Sequence, residues 1–382
     1  MSRSNELSAE KSYLGEAAGA TARLKEVVMV EIESQGPISF LDFMDRALYH
    51  PEWGYYARKT KVRTGKEGDF FTAVSVGSLF GRILAEHAYE CWQNKGKPNE
   101  FRVVEWGAEQ GDLARDILAG AREIGGEFEK VLQYAVVEPL PAKHAFLSEN
   151  LPEVEVVAQA SALSKKEGLV IANELIDAFP FWLVRREDGR WLEKRVARQD
   201  EVEEGFQFEL AEPSGELVER LRMVEGRFSE GYETEVRPSV ESLLTEMRSV
   251  LAGGELLLFD YGFERQDLYH PSRITGTLRT FGKHEAGEDP LVDIGELDIT
   301  AHVDFTVLAE EARSAGFAPQ ALESQGAFLT KAAAAILRGM EGQVDPQFIR
   351  QFHTLTHPGH LGSRFHCSEL WLEVFLANGI ED

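Results

Sequence analysis

The sequence contains only two cysteines, Cys91 and Cys367, in 382 residues. Two cysteines are too few to hold a chain of this length together by disulfide bonds, so a secreted disulfide scaffold is excluded and a cytoplasmic location is expected. Long apolar runs are also missing, because no stretch approaches the roughly 20 residues that span a bilayer. The first twenty residues are polar and carry three glutamates, a composition that differs from a signal or transit peptide.

Basic residues are scarce as well: 40 Lys and Arg stand against 65 Asp and Glu, which gives a formal net charge of −25. A field of this sign repels nucleic acid backbones and anionic lipid surfaces and favours cationic partners. Hydrophobic residues make up 43% of the chain and charged residues 27%, as in a globular protein. We therefore expect two or three folded units, with no nucleic acid partner, no membrane insertion and an oligomeric state that the sequence leaves open.

The N-terminal hundred residues lack the alternation of strands and helices that follows them. Residues 1–20 are predicted to be a flexible tail, and residues 21–100 a helical cap. Ser39, followed three residues later by Asp42, resembles a capping box at a helix start. The predicted elements are helices over residues 21–34 and about 39–48, and a long loop over residues 53–72, which at this length is expected to be functional.

From residue 100 onward, short β-rich runs alternate with helical patterns, which predicts an α/β domain with a parallel sheet and crossover helices. Asp188 and Gly189 lie at the centre of a stretch that lacks helices, and they predict an antiparallel hairpin. The α/β domain is expected over residues 101–180 and 232–382, with an antiparallel insertion over 181–231. The predicted strands are 101–107, 132–138, 154–157, 168–174 and 255–262, and the predicted helices begin near 112, 141, 239 and 302.

Ligands of open α/β sheets bind beyond the carboxyl ends of the strands. The first strand of this sheet runs into a turn in which Gly107 and Gly111 allow the backbone to approach a ligand. The second strand ends in Glu138, whose carboxylate is placed to accept hydrogen bonds from ribose hydroxyls. Together these features predict a nucleoside site, although glycine-rich turns also occur in α/β proteins that bind no nucleotide.

The charge of the first turn indicates which nucleoside is favoured. A dinucleotide fingerprint has a glycine where this chain has Glu109, and Asp112 follows shortly after. Two carboxylates at this turn would repel a pyrophosphate. S-adenosylmethionine has no phosphate and carries a sulfonium and an ammonium group, so it is favoured over NAD as the cofactor.

Several segments, in this order, resemble the MidA family of S-adenosylmethionine-dependent methyltransferases, over about residues 35–335. The mitochondrial members of that family methylate an arginine of a respiratory complex I subunit. The resemblance implies a class I (Rossmann-like) methyltransferase sheet, S-adenosylmethionine as cofactor and a protein substrate with an accessible arginine. The segments are HPEWGYY (50–56), GDFFT (68–72), LFG (79–81), VVEWGAEQGDLARDIL (103–118), VVE (136–138), IANELIDAFP (171–180), DYG (260–262) and DITAHVDF (298–305).

One departure from the family pattern concerns the first turn, where the family usually reads E-L-G-P-G-x-G. Glu109 occupies the position of the middle glycine, and a glutamate strongly disfavours the positive φ that glycine allows. Two alternatives therefore stay open beside protein arginine methylation. One is a small-molecule methyltransferase, and the other is an assembly or binding protein that has lost catalysis.

The candidate catalytic residues are Glu174 and Asp177, because carboxylates can hold the planar guanidinium of an arginine through charge-assisted hydrogen bonds. Alternatively, Asp177 caps the following turn and Glu174 is merely solvated. Asp69 belongs to a loop that is expected to close over the cofactor. The predicted cofactor-binding residues are Gly68, Asp69, Glu105, Gly107, Gly111, Glu138 and Asn173, and weaker site candidates are Tyr55, Tyr56, Asp260 and Tyr261.

Four histidines crowd near Cys367 towards the end of the chain. Pro358 and Gly359 interrupt any helix that they could share, and the spacing matches no template for a zinc site. No metal site is therefore predicted there. The histidines are His353, His357, His360 and His366.

Overall fold

The computed structural model describes residues 3–57, 72–199, 205–282, 285–287, 289–340 and 345–372. For residues 3–18 and 285–286 it describes the backbone only. None of the helices within these ranges is both long enough and apolar enough to cross a membrane.

The helices are numbered here in chain order. They are α1 (Arg3–Gln35), α2 (Phe40–Tyr49), α3 (Leu79–Asn94), α4 (Asp112–Ile124), α5 (Gly126–Val131), α6 (Pro141–Asn150), α7 (Glu216–Leu221), α8 (Glu241–Ser249), α9 (Arg265–Leu268), α10 (Phe305–Ser314), α11 (Gln325–Ala332), α12 (Ala334–Gly339) and α13 (Pro346–Thr356).

The strands are numbered in the same way. They are β1 (Ile38–Ser39), β2 (Phe101–Trp106), β3 (Leu132–Val137), β4 (Glu155–Val157), β5 (Lys166–Asn173), β6 (Trp182–Glu187), β7 (Arg190–Gln199), β8 (Gly205–Ala211), β9 (Glu233–Val236), β10 (Leu251–Phe263), β11 (Arg279–Gly282), β12 (Glu285–Gly287), β13 (Asp298–Thr300), β14 (Val303–Asp304), β15 (Phe317–Pro319), β16 (Glu323–Ser324) and β17 (Phe365–Leu372).

The central sheet has the strand order β4-β3-β2-β5-β10-β17-β15. The strands from β4 to β10 are parallel, and β17 is antiparallel to both β10 and β15. Every residue of β2 is buried, as expected for a parallel strand that helices cover on both faces. Residues of α3, α4 and α11 pack on one face, and residues of α8 and α10 on the other. The predicted α/β class is confirmed.

A second sheet has the order β1-β7-β6-β9, with β8 paired to β7. The predicted hairpin is present: β6 and β7 pair around Asp188 and Gly189, which both have positive φ. The sheet is larger than the prediction, because it also takes in β9 and the N-terminal strand β1. Phe40 and Phe43 of α2 pack with Phe181 and Phe206, so the N-terminal cap and the insertion share one core.

The first hundred residues differ from the prediction at three places and agree with it at the Ser39 cap. The first helix begins at Arg3, inside the stretch 1–20 for which the sequence predicts a flexible tail. Ser39 does cap α2, since its Oγ accepts the Asp42 amide at 3.0 Å. Within the predicted loop over 53–72, residues Tyr55–Ala57 form a 3₁₀ turn, and the sequence reasoning gave no helix at α3.

Candidate active site

The turn between β2 and α4 takes the shape that the glycines predict. Gly107 and Gly111 have φ values of 74° and 76°, and a Cβ atom on Gly111 would lie 2.3 Å from Leu151 Cδ1. Glu109 has a φ of 47°, so it adopts the left-handed conformation that a glutamate disfavours. This conformation costs a non-glycine residue about 1–2 kcal/mol. The ion pair between Lys143 Nζ and Glu109 Oε2, 3.0 Å long, holds the side chain in this position.

A cavity of about 560 Å³, called here the turn cavity, opens over the carboxyl ends of β2, β3 and β5. Its volume lies within the range of roughly 300–1,000 Å³ that is typical of cofactor sites. Apolar side chains, among them Trp106 and Phe179, provide much of its wall. The predicted cofactor residues that line it are Glu105, Gly107, Glu138 and Asn173.

Two buried glutamates lie at the strand ends that border the turn cavity. Glu105 in β2 is 4% exposed and accepts a hydrogen bond from Tyr134 Oη at 2.8 Å. Burial raises the pKa of Glu105 to about 7. Glu138 follows β3, and its Oε1 accepts the Leu140 amide at 2.9 Å. Burial raises the pKa of Glu138, and the nearby Lys143 opposes this shift. Glu138 therefore has the position that its proposed contact with a ribose requires.

The wall of the turn cavity is strongly acidic. Among the described lining residues Lys143 is the one lysine or arginine, and it is paired with Glu109. Because Lys143 neutralises Glu109, this residue contributes less to the repulsion of a phosphate than the sequence suggests, and the other carboxylates of the lining contribute more. The lining carboxylates are Glu105, Glu109, Asp112, Glu138, Glu174 and Glu246.

Residues Asn173 and Glu174 lie at the end of β5, between two cavities. Glu174 has a φ of 51°, a strained conformation of the kind that recurs at active sites. Its amide donates to Phe259 O at 2.8 Å, and its carboxylate accepts Asn173 Nδ2 at 3.2 Å and the Ala73 amide. Asn173 Oδ1 is buried without a hydrogen-bond partner. The end of β5 thus presents one carboxylate and one free amide oxygen.

A second cavity of about 660 Å³, called here the carboxylate cavity, adjoins the first. Glu174 and Tyr56 line both cavities. Asp177 and Asp298 line the second one from its interior, where both are at least 96% buried. Its border includes three exposed residues, so the cavity reaches the protein surface. These residues are Arg279, Ser363 and Arg364.

Asp177 is fixed in the carboxylate cavity from several sides. Tyr261 Oη donates to Asp177 Oδ2, and Arg237 Nη2 donates to the Asp177 carbonyl at 2.8 Å. The turn that carries Asp177 is capped by Asp260, whose Oδ2 accepts the amides of Ile176 and Asp177. Asp260 thus caps the turn that carries Asp177, and the backbone hydrogen bond from Ala178 to the Asp177 carboxylate leaves the alternative capping role of Asp177 open. Burial raises the pKa of Asp177 and of Asp260.

Asp298 is a site residue that sequence patterns do not single out, although it begins the shared segment DITAHVDF. Its Oδ1 accepts Tyr56 Oη at 2.8 Å, and Tyr56 in turn stacks on Tyr49 with ring centroids 5.4 Å apart. Burial and the charge of Asp177 raise the pKa of Asp298 to about 7. Tyr55 is fully buried in the N-terminal core, so of the two candidate tyrosines only Tyr56 reaches a cavity.

Some predicted residues do not meet in these cavities. Gly68 and Asp69 lie outside the residues that the structure describes, as do Phe70 and Phe71. Gly111 shapes the first turn but does not line the turn cavity. In the C-terminal histidine group, the rings of His353, His357 and His360 pack together, whereas His366 packs against Phe305.

Comparison with known proteins agrees with this geometry. A family model described as S-adenosyl-L-methionine-dependent methyltransferase matches residues 83–322. The chain belongs to this family. The class I methyltransferase fold and S-adenosylmethionine as cofactor, both predicted above, are thereby confirmed.

Relatives of known sequence and structure cover nearly the whole chain. The Drosophila melanogaster protein arginine methyltransferase NDUFAF7 homolog, a mitochondrial protein, is 28% identical over 93% of this chain and 86% of its own length. The human NDUFAF7 protein is 27% identical over 89% of this chain and 81% of its own. A Burkholderia thailandensis protein crystallised with S-adenosyl-homocysteine has a TM-score of 0.81 and 28% identity, with 93% of each chain covered.

The residues of the turn cavity fit S-adenosylmethionine. The donor's ammonium group needs acceptors, and the lining of the cavity offers the unpartnered Asn173 Oδ1 and the carboxyl group of Glu105. Glu138 has the position and the charge to hold the ribose hydroxyls. The apolar side chains of Trp106, Leu175 and Phe179 offer surface for an adenine ring. The turn cavity therefore has the volume and the lining chemistry that a donor site for S-adenosylmethionine requires.

Proposed function

We propose that this methyltransferase methylates the guanidinium group of an arginine in a protein partner. The observation that carries the proposal is that Glu174 lines both cavities, so that a group held in the carboxylate cavity comes next to the donor site. Relatives that match most of this chain are known as protein arginine methyltransferases, which supports the same substrate class.

The chemistry of the carboxylate cavity suits a guanidinium. This group is planar, carries five N–H donors and pairs with carboxylates through bidentate, charge-assisted hydrogen bonds. Glu174, Asp177 and Asp298 supply buried carboxylates, and Tyr261 supplies an aromatic ring at the wall of the same cavity. A buried cation among these acids also favours their ionised forms, which burial alone disfavours.

The protein's share of the reaction is to orient the acceptor and to take up a proton. Bound S-adenosylmethionine supplies an electrophilic methyl group. Glu174 and Asp177 would hold the guanidinium so that one nitrogen faces the turn cavity. That nitrogen would lose a proton as its bond to the methyl carbon forms, while the bond from this carbon to the donor sulfur breaks and S-adenosyl-homocysteine is left. Glu174 lines both cavities, and beside the bound cation its carboxylate is ionised, so it is placed to accept that proton.

The shape of the carboxylate cavity favours a protein over a metabolite. The acids lie inside, whereas Arg279 and Arg364 stand exposed at the border, so a long side chain can reach the acids from a partner that stays outside. A small-molecule methyltransferase stays the second candidate, since a volume of about 660 Å³ also admits a metabolite. The alternative of an assembly protein that has lost catalysis is less favoured than the sequence suggests. Its basis was the replacement of a glycine by Glu109, and Glu109 adopts the left-handed conformation that a glycine would take in this turn.

The partner and the compartment are also part of the proposal. The MidA resemblance suggests a respiratory complex I subunit as the substrate. Cys91 and Cys367 are both free thiols, which supports a reducing, cytoplasmic location.

The test is methyl transfer from isotope-labelled S-adenosylmethionine. The protein is incubated with isolated complex I subunits, with a panel of arginine-containing proteins and with small guanidino metabolites, and products are identified by mass spectrometry. Methylarginine in a protein is the expected product. Label in metabolites alone would contradict a protein substrate, and label on lysine or on carboxylates would contradict the guanidinium assignment.

A further inference from the structure

A cluster of metal-ligating side chains lies apart from both cavities. His87 and Cys91 stand one turn apart on α3, and Glu255 lies in β10, five residues before Asp260. Tyr261 is the first residue of β10 that lines the carboxylate cavity, so at a rise of about 3.3 Å per residue Glu255 lies roughly 20 Å away along the strand. The cluster therefore belongs to the opposite end of the sheet from the donor site.

The potential ligand atoms of this cluster converge on one point. His87 Nε2 lies 2.5 Å from Glu255 Oε1, and Cys91 Sγ also contacts Glu255 Oε1. All three atoms lie within 4.8 Å of one another, and no other group of three His, Cys, Asp or Glu residues in the described ranges has such an arrangement. From these contacts we infer that His87, Cys91 and Glu255 form a zinc-binding site, with a water molecule as the fourth ligand.

The donor set decides which metal the site takes. Imidazole nitrogen, thiolate sulfur and carboxylate oxygen are the three ligand types of protein zinc sites, and three protein ligands plus water is a known tetrahedral pattern. Magnesium and calcium prefer oxygen ligands alone, which a cysteine and a histidine do not provide. Spacing of i and i+4 on α3 points His87 and Cys91 to the same side of the helix.

The surroundings of the cluster suit a site that binds an ion and keeps it. The side chains of His87 and Glu255 are 14% and 9% exposed, so an ion can enter but bulk water is largely excluded. Phe328 packs against His87 with ring centroids 5.1 Å apart. Glu369 in β17 adds a negative charge near Cys91 while its Oε1 accepts Trp371 Nε1, so it acts from outside the ligand set.

The same contacts also fit a metal-free arrangement, in which an imidazolium and a thiol both donate to the carboxylate of Glu255. The two arrangements differ in how the protein responds to zinc. An ion that binds only the folded protein raises its stability by an amount that grows with the logarithm of the free ion concentration divided by the dissociation constant. A hydrogen-bonded trio without an ion gives no such response.

The direct experiment uses cobalt(II) as a spectroscopic substitute for zinc. The full chain is prepared without a histidine tag, stripped of metal and titrated with cobalt(II). We expect one equivalent to produce a thiolate-to-cobalt charge-transfer band, which Cys91→Ser abolishes. His87→Gln and Glu255→Gln should weaken binding more than about tenfold, since each removes a ligand. Cys367→Ser is the matched thiol control, and His353→Gln is the control for the surface histidines; both should keep the band.

Thermal unfolding supplies the second readout. Zinc should raise the Tm of the wild type and leave the Tm of Cys91→Ser unchanged. If the wild type shows no thiolate-to-cobalt band, or if zinc does not change its Tm, the zinc site is overturned and the three side chains form the metal-free hydrogen-bonded arrangement. A band that disappears in Cys367→Ser instead of Cys91→Ser overturns it as well. Because the cluster lies far from both cavities, donor binding by Cys91→Ser should equal that of the wild type.

Discussion

The two cavities on either side of Glu174 are built in different ways. Most of the turn cavity comes from short stretches that directly follow β2, β3 and β5. The carboxylate cavity draws on segments that are far apart in the chain, from Tyr56 to His366. Strand-end turns are local features that a sequence pattern indicates, whereas the second cavity exists only after long-range packing. The donor site is thus the part that sequence predicts best, and the acceptor site is the part that needs a structure.

The cavities also differ in how their charges are balanced. In the turn cavity Lys143 pairs with Glu109 and opposes the rise that burial causes in the pKa of Glu138. In the carboxylate cavity burial and the neighbouring acids raise the pKa values of Glu174 and Asp298, the latter to about 7. The turn cavity therefore contains a cation that partly offsets its acids, whereas the acids inside the carboxylate cavity are stabilised in their charged forms when a cationic group enters it.

The largest effect is expected from Glu174→Gln, which keeps the shape of the side chain but removes its charge. Loss of one oriented electrostatic contact at a reaction centre lowers turnover by about 10²-fold or more. The affinity for S-adenosylmethionine should change by less than about threefold, because the lost contact acts mainly on the acceptor. Labelled methyl transfer and calorimetric donor titration measure the two quantities.

The matched control for Glu174→Gln is Glu241→Gln, an exposed glutamate of α8. It should match the wild type in both measurements. If Glu174→Gln transferred methyl groups at the wild-type rate, Glu174 would have no part in the mechanism.

A smaller effect, confined to the turn cavity, is expected from Glu138→Ala. Loss of charge-assisted hydrogen bonds to ribose hydroxyls costs about 1.5–3 kcal/mol, which weakens donor binding by roughly 10- to 100-fold. Turnover at saturating donor should stay close to the wild-type value. Calorimetry with S-adenosyl-homocysteine gives the affinity, and Glu241→Ala serves as the control. An unchanged dissociation constant would show that Glu138 does not hold the donor.

The carboxylate cavity should give the reaction its pH dependence. Asp298 is protonated below its pKa of about 7, so kcat/KM for a guanidinium substrate should rise as the pH passes upward through about 7. In Asp298→Asn one negative charge is gone, so the remaining acids ionise more easily and the rise should move to lower pH. The maximal rate should fall several-fold because one carboxylate is lost. Asp267→Asn, an exposed aspartate, is the control, and identical profiles for wild type and Asp298→Asn would contradict this role.

The smallest effect is expected from Glu109→Gly, which restores the glycine of the family pattern. Removal of the left-handed strain gains about 1 kcal/mol, and loss of the ion pair with Lys143 offsets part of this. Donor affinity should therefore change by less than about threefold, and the free energy of unfolding by less than about 1 kcal/mol. Calorimetry and denaturant unfolding check both values. A loss of donor binding greater than about tenfold would mean that the Glu109 carboxylate contacts the donor.

Particular residues show how far the sequence alone could lead. Gly107, Glu138 and Glu174 could be predicted, because the carboxyl ends of parallel strands meet at one edge of the sheet. Asp298 could not, because it lies 121 residues beyond Asp177 in the chain and reaches the site only through the packing of Tyr56 and β13. The helix α3 follows no strand and lacks a side-chain cap, so the usual signals of a helix start were missing.

The adjacency of the two cavities can be measured without knowing the protein substrate. A bisubstrate compound, in which an adenosine is joined by a short linker to a guanidine, should occupy both cavities at once. Because the second contact is then intramolecular, it should bind at least about 10²-fold more tightly than S-adenosyl-homocysteine, and Glu174→Gln should remove most of that advantage. If the compound bound no more tightly than S-adenosyl-homocysteine, or if its advantage survived in Glu174→Gln, the guanidinium site would not lie beside the donor at Glu174.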